Sequence, residues 1–319
     1  MEDYRTMLGF TPEAIEKNGP FAEGPEIQEW FEEDPDADPD TLLLELRTLE
    51  EEYEMKKSLL SPGDCMTAHA ASVLVRWYFG LGLYDKAKNI CRELVDADNR
   101  TDDEIVEDTD DRIVFDYAES LLWSGDVEKG IDLLEKLLET SDIADYEAYR
   151  RRPGTRAAFP MDFRCMLALS FGKAGRYSKA AEQFLLSTKN KRPLDPRPPR
   201  IRYDSLMKYA YVCCYYLGDT ATAEKAYRQI YNHYTGKSED GGLVAPGRAQ
   251  RETSSAAVSA LRNYAEFLAY CGRFDEAIEM LRQAGKIAAK DEPASVSAQI
   301  DKRISEIGSA KTASQSANV

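Results

Sequence analysis

Apolar residues in this chain recur at helical spacing in paired runs, and each pair is split by a glycine. Five such pairs stand in register: Gly82-Leu-Tyr84-Asp-Lys-Ala87, Gly125-Asp-Val127-Glu-Lys-Gly130, Gly175-Arg-Tyr177-Ser-Lys-Ala180, Gly218-Asp-Thr220-Ala-Thr-Ala223 and Gly272-Arg-Phe274-Asp-Glu-Ala277. An apolar run of helical period on each side of a glycine predicts two helices joined by a tight turn. The Ala or Gly five places after each turn marks where the two helices touch closely. Seven places before each glycine stand Val75, Ala118, Ala168, Tyr211 and Ala265, and nine places after it Cys91, Leu134, Phe184, Tyr227 and Leu281. Single amphipathic helices flank the array. Asp38 and Pro39 form a helix start, followed on one face by Leu42, Leu46, Leu49 and Tyr53, which predicts an N-terminal capping helix over 38–61. Val296, Ile300, Ile304 and Ile307 predict a C-terminal one over 293–307. Beyond Gly308 the chain is Ser, Ala, Thr, Gln and Asn, and residues 308–319 are expected to form a disordered tail.

From about Cys65 to Lys290 these copies resemble the tetratricopeptide repeat. The resemblance implies an all-α protein: a right-handed α-solenoid of about five TPR-like helix hairpins over 62–292, with capping helices at both ends. The glycines stand 43, 50, 43 and 54 residues apart, longer than the family's basic period of about 34. Kinesin light chain is similar in having a long period. The extra residues fall between hairpins, and insertions in such arrays map to loops on one face.

In the family, ligands lie along a groove made by the first helix of each hairpin. Counting back from each turn glycine, the resemblance assigns to it Arg76 and Phe79, then Arg112, Phe115 and Trp123, then Lys173, then Lys208, Tyr215 and Tyr216, and finally Arg262 and Tyr270. Cations interleave with aromatics, a lining suited to an acidic segment with bulky apolar side chains. The carboxylate clamp by which some members hold chaperone tails is not expected, because Ser72 with Arg76 and Phe115 with Glu119 stand where it needs Asn and basic residues.

Charge divides the chain. The whole carries −16, with 43% apolar and 31% charged residues, and residues 1–60 hold 18 acids against 5 bases. Residues 1–37 thus read as an acidic N-terminal arm, in which Trp30 and Phe31 form an aromatic anchor able to dock in cis on the groove. The inter-repeat segments are basic, notably Arg150, Arg151 and Arg152, and Lys191 with Arg192. No His, Cys and carboxylate group has metal-ligand spacing, and no glycine loop follows a strand, so no cofactor, metal or catalytic residue is expected. Six cysteines without CxxC spacing read as reduced core thiols. The acidic start lacks an apolar stretch after a basic one, and no run is long enough to span a bilayer, so the expected location is cytoplasmic or nuclear.

These features favour a noncatalytic adaptor that binds a protein or peptide, with nucleic acid and membrane disfavoured by the net acidity. The alternatives are a subunit of a transcription or RNA-processing assembly that meets nucleic acid through the basic loops, and an enzyme or its regulatory subunit using His69, Glu119 or the fourth inter-repeat loop. Circular dichroism is expected to show a predominantly helical protein; a strand content above a few per cent would break the hairpin assignment.

Overall fold

A computed structural model of the chain describes residues 4–22, 39–60, 64–96, 111–140, 160–189, 200–234 and 250–316. All regular structure in these residues is helical. Two short helices, α1 (Tyr4–Met7) and α2 (Pro12–Asn18), precede the long α3 (Pro39–Leu59). The hairpins follow: α4 (Cys65–Gly80) with α5 (Tyr84–Asp96), α6 (Asp111–Trp123) with α7 (Val127–Thr140), and α8 (Pro160–Lys173) with α9 (Tyr177–Lys189). The fourth pairs α10 (Arg200–Tyr211), prolonged by a π-helical turn over Val212–Tyr216, with α11 (Thr220–Tyr234). The fifth pairs α12 (Gln250–Tyr270) with α13 (Phe274–Asp291), and α14 (Ala294–Ser316) ends the chain. Two compact units contain these elements, Phe21–Ser187 and Met1–Pro20 with Thr188–Val319, here the N-terminal and C-terminal units.

In the N-terminal unit α3 packs on α4, α4 on α5, α5 on α6, α6 on α7 and α7 on α8. In the C-terminal unit the same order runs α10, α11, α12, α13 and α14. Within the units, the second helices α5, α7, α11 and α13 therefore each cover their own partner and the next helix in the chain, the packing that makes stacked hairpins share a core. All five turn glycines are left-handed, with φ of 66°, 93°, 72°, 69° and 76°. Nothing lies within 4 Å of a Cβ built on Gly82, Gly125, Gly175 or Gly218, so backbone conformation alone selects glycine there. The small residues meet as expected: a Cβ on Gly130 would stand 3.1 Å from the Ala118 carbonyl oxygen, and Ala87, Ala180, Ala223 and Ala277 are buried at the same place.

The fourth hairpin differs. In hairpins one, three and five the turn closes with an N–H bonded to a carbonyl five residues back: Leu83 to Tyr78, Arg176 to Phe171 and Arg273 to Leu268. In the fourth, Asp219 donates to Cys213, six residues back, and Leu217 donates to Val212. One extra residue is accommodated in the helix as a π turn, and everything before it shifts by one place. Ala210, fully buried, takes the small position that counting from Gly218 assigns to Tyr211, and Tyr211 turns outward.

The ends differ from expectation in one place. α3 lies where the N-terminal cap was expected and buries Leu46 and Tyr53. The C-terminal helix runs on through Gly308 to Ser316, where a disordered tail was expected. Ala310 is buried, Lys311 reaches Asp275 at 2.6 Å, and Ser309, Thr312 and Ser316 bond the carbonyls four residues back. One packed alanine and an existing helix to extend suffice, because propagation is far easier than nucleation.

Gly125→Ala is expected to cost about 1–2 kcal/mol in denaturant unfolding, through its left-handed φ alone. Ala210→Leu should cost about 1–3 kcal/mol by overpacking, more than Tyr211→Leu; the reverse order would refute the shifted register.

Candidate functional site

The first-helix face of the N-terminal unit carries a chain of aromatics. Phe79 lies 6.2 Å from Tyr84, Tyr84 stacks on Trp123 at 6.0 Å, and the Lys173 ammonium sits 4.6 Å over the Trp123 ring. Three of the expected groove residues, Phe79, Trp123 and Lys173, are thus joined through Tyr84, a second-helix residue that the count from the glycines missed. Arg76 is exposed on α4. Phe115 is not available to a ligand: it is 7% exposed and packs on Phe163 of the next first helix at 5.5 Å. The Arg112 side chain, the basic segments with Arg150, Arg151, Arg152, Lys191 and Arg192, and the Trp30 and Phe31 anchor lie outside the described residues. Phe21 is buried in this unit, stacked on Tyr177 at 5.8 Å and Phe184 at 6.3 Å. Its ring fills the space where a Cβ on Gly172 would lie, so only glycine admits it.

In the C-terminal unit the face is occupied. The π turn gathers Tyr211, Tyr215 and Tyr216, with ring centroids 4.4 Å apart for Tyr211 and Tyr215, and Tyr215 meets Tyr270 of α12 edge-on at 4.8 Å. The chain's own N-terminal segment lies against them. The Tyr4 hydroxyl and the Arg5 Nε both donate to the Tyr270 carbonyl, at 3.0 and 3.2 Å, and the Arg5 guanidinium stands 4.2 Å over the Tyr270 ring. Phe10 stacks on Tyr215 at 6.2 Å and meets Tyr270 edge-on at 5.5 Å. Arg303 of α14 lies 5.7 Å over the Phe10 ring and donates to the Leu8 carbonyl at 3.0 Å, while Tyr211 donates to the Ile15 carbonyl at 2.9 Å. Leu8 is 4% exposed.

Local chemistry shapes this segment. Gly9, with φ 79°, ends α1 by the same turn that the hairpins use, Phe10 N–H bonding the Arg5 carbonyl. Thr11 caps α2 by accepting from Ala14 N–H at 3.2 Å, and Pro12 opens the helix. Gly19 follows where a Cβ would come within 2.7 Å of the Ile15 carbonyl and 3.2 Å of the Tyr211 ring. Opposite the segment, Arg303 is held by Glu266 at 2.8 and 2.6 Å and by Glu306 at 2.8 Å. Burial works against its charge, and those carboxylates more than offset the cost, so the guanidinium holds its proton more tightly than usual. Burial also pushes the Tyr215 and Tyr211 phenols well above their ordinary range, which keeps both neutral as donors and ring surfaces.

Of the remaining residues expected on this face, Tyr216 lies in the π turn, Tyr270 forms the floor and Arg262 is exposed. Lys208 precedes the π turn and so sits one place off the register from which it was chosen. The functional residues missed in the sequence are Tyr4, Arg5, Leu8, Phe10, Ile15, Tyr211 and Arg303. A signal existed for part of them: Phe10 before the Thr11-Pro12 start with Ile15 after it is a hydrophobic staple, which marks an ordered helix within the acidic arm.

Among the described residues no group of His, Cys, Asp and Glu is placed to hold a metal ion, and no helix is long and apolar enough to cross a membrane. Cys91, Cys213 and Cys214 are buried, which raises their thiols, that of Cys213 to about 11.

Phe10→Ala, from the loss of part of an aromatic side chain's burial energy, and, separately, Gly19→Ala, from the clash of its Cβ with the Ile15 carbonyl, are each expected to speed amide hydrogen exchange over residues 4–18 by about tenfold or more. The exchange of α12 and α13 should not change. Unaltered exchange in the segment would mean that neither contact holds it.

No family model matches the chain, and no curated protein matches it. Solved structures do. The structure of BtubC from P. vanneervenii superposes with a TM-score of 0.53 at 15% identity, over 78% of this chain and 91% of that one. A kinesin light chain-like protein from Podosopora anserina with nearly identical TPR-like repeats gives 0.51 at 17% identity, over 72% of this chain and 97% of that one. At such identities the likeness bears on the fold, and it agrees with the five glycine-turned hairpins: the chain is an all-α solenoid with the fold of a tetratricopeptide-repeat protein, resembling kinesin light chain.

Proposed function

We propose that this chain is a noncatalytic protein-interaction scaffold of the cytoplasm or nucleus that binds peptide segments against the first-helix faces of its hairpins. The observation that carries the reading is the N-terminal segment in the C-terminal unit: a stretch of polypeptide lies on that face, anchored by aromatic rings and backbone hydrogen bonds. Stacked helices present such faces repeatedly, and peptides that occupy them gain affinity from a few aromatic and Arg anchors.

For the N-terminal unit the reading is a partner segment that is acidic and aromatic. Exposed Arg76 supplies a cation, Arg112 a second in the sequence, and Phe79, Tyr84 and Trp123 an aromatic track. Arginine fits a carboxylate with two parallel hydrogen bonds, and the rings supply apolar area at small entropy cost. Trp30 and Phe31, in the acidic stretch of the arm, have the composition of an internal ligand for this face.

The test is a photo-crosslinking amino acid at position 79 in the native cell, with bound proteins identified by mass spectrometry. A discrete partner should be captured, and Arg76→Glu with Arg112→Glu should weaken it about tenfold or more while shifting stability by only about 0.5 kcal/mol. Undiminished binding by that pair moves the site off this face. Steep loss of binding to mixed RNA with rising salt would instead favour nucleic acid.

A further inference from the structure

In the C-terminal unit the docked segment shows which chemistry the face selects, and it is opposite in sign to the acidic ligand proposed for the N-terminal unit. Tyr270 is the last residue of α12. The backbone N–H groups that follow it turn back to Phe267, Ala269 and Leu268, while the Tyr270 carbonyl accepts from Tyr4 and Arg5. Carbonyls at a helix C-terminus carry the negative end of the helix dipole and attract cations. The Arg5 guanidinium satisfies that acceptor and stands over the ring of the same residue, 4.2 Å from its centroid. A planar, weakly hydrated guanidinium can do both; an ammonium loses the stacking, and a carboxylate would be repelled by the carbonyl.

The second determinant is the slot for Phe10. Tyr215 and Tyr270 form its walls and Arg303 closes it, pinned in place by Glu266 and Glu306. The remaining polar contacts, from Arg303 to the Leu8 carbonyl and from Tyr211 to the Ile15 carbonyl, read backbone and are indifferent to sequence. The acids of the docked stretch, Glu13 and Glu16, are exposed. Selection therefore falls on an aromatic-arginine pair and on a second aromatic.

We propose that the face formed by Tyr211, Tyr215, Tyr270 and Arg303 is a docking site for a partner segment carrying an arginine next to an aromatic residue and a further aromatic five positions later, as in Tyr4-Arg5 and Phe10. The residues 4–18 are its resident copy, which such a segment displaces. The inference rests on the peptide-scaffold reading and gives that scaffold a second, basic-aromatic specificity. Tethering places the resident copy at an effective concentration of about millimolar, so an external segment gains access when it binds more tightly or when the resident contacts are weakened.

The experiment uses full-length chain and a fluorescent synthetic peptide of residues 4–20. Full-length protein with Arg5→Ala and Phe10→Ala, which vacates the face, should bind the peptide about tenfold or more tightly than the unsubstituted chain does. Arg5→Glu or Phe10→Ala in the peptide should each weaken binding about tenfold or more, Arg5→Lys should recover only part of it, and Glu13→Gln with Glu16→Gln should change nothing. Circular dichroism and melting confirm that the substituted chain is folded. Failure of the folded, vacated chain to bind the peptide, or binding indifferent to Arg5→Glu, overturns the inference. If that happens while Arg76→Glu with Arg112→Glu still abolishes capture of the crosslinked partner, the scaffold reading stands alone; if capture is also indifferent, that reading falls as well.

Discussion

Close approach of two helices at an alanine or glycine is the contact on which every hairpin depends. Ala118 against Gly130 shows the limit, with a missing Cβ only 3.1 Å from a carbonyl oxygen. An approach this close is possible only where neither helix carries bulk, and it brings the longer side chains one turn away, Leu134, Phe184, Tyr227 and Leu281, into buried contact. The left-handed glycine serves the same end. It reverses the chain in two or three residues, so that the second helix starts in the register where small residue meets small residue. Without the turn the register is lost, and without the small pair the turn has nothing to align.

The π turn in the fourth hairpin is a local exception that leaves this contact intact. Inserting one residue would ordinarily rotate the helix by about 100° and drive Tyr211 into the small position. Widening one turn absorbs the residue, returns Ala210 to the helix contact and rotates Tyr211 outward. The result is three tyrosines, Tyr211, Tyr215 and Tyr216, grouped on one face with Tyr270 across from them. A regular first helix, with its small position seven residues before the glycine, could not present that group. The departure from the repeat pattern and the docking surface are one feature.

The hairpins were legible because backbone geometry dictates their residues: a positive φ demands glycine and a helix contact demands a small side chain. The face was legible only in part. Counting from Gly272 selected Tyr270, and counting from Gly218 selected Tyr215 and Tyr216 but put Tyr211 in the core and Lys208 on the surface, because an inserted residue leaves no mark on a count. The mark was chemical: tyrosine where four other copies carry Val or Ala, next to an alanine. Phe115 misled for another reason. Its ring is covered by Phe163 of the next first helix, a contact between hairpins that a count within one hairpin does not contain. Arg303 was not legible, since it comes from the terminal helix, outside the repeat altogether, and the arm's docking residues were overlooked because net charge was read over the whole arm.

That charge conceals a division. Residues 4–18 hold two acids, Glu13 and Glu16, against Arg5 and Lys17, and the acid excess lies farther along. What docks is the neutral, aromatic part. Magnitudes favour this arrangement: a fully buried large apolar side chain contributes roughly 1.5–3 kcal/mol, whereas an exposed ion pair contributes about 0–1. Leu8, buried in its site, with half-buried Phe10 beside it, therefore outweighs any general attraction between an acidic arm and scattered lysines. Ordering the segment works in the other direction, at roughly 1–2 kcal/mol of backbone entropy per residue, which the internal bonds of α1 and α2, the Thr11 cap and the few anchoring rings must together offset.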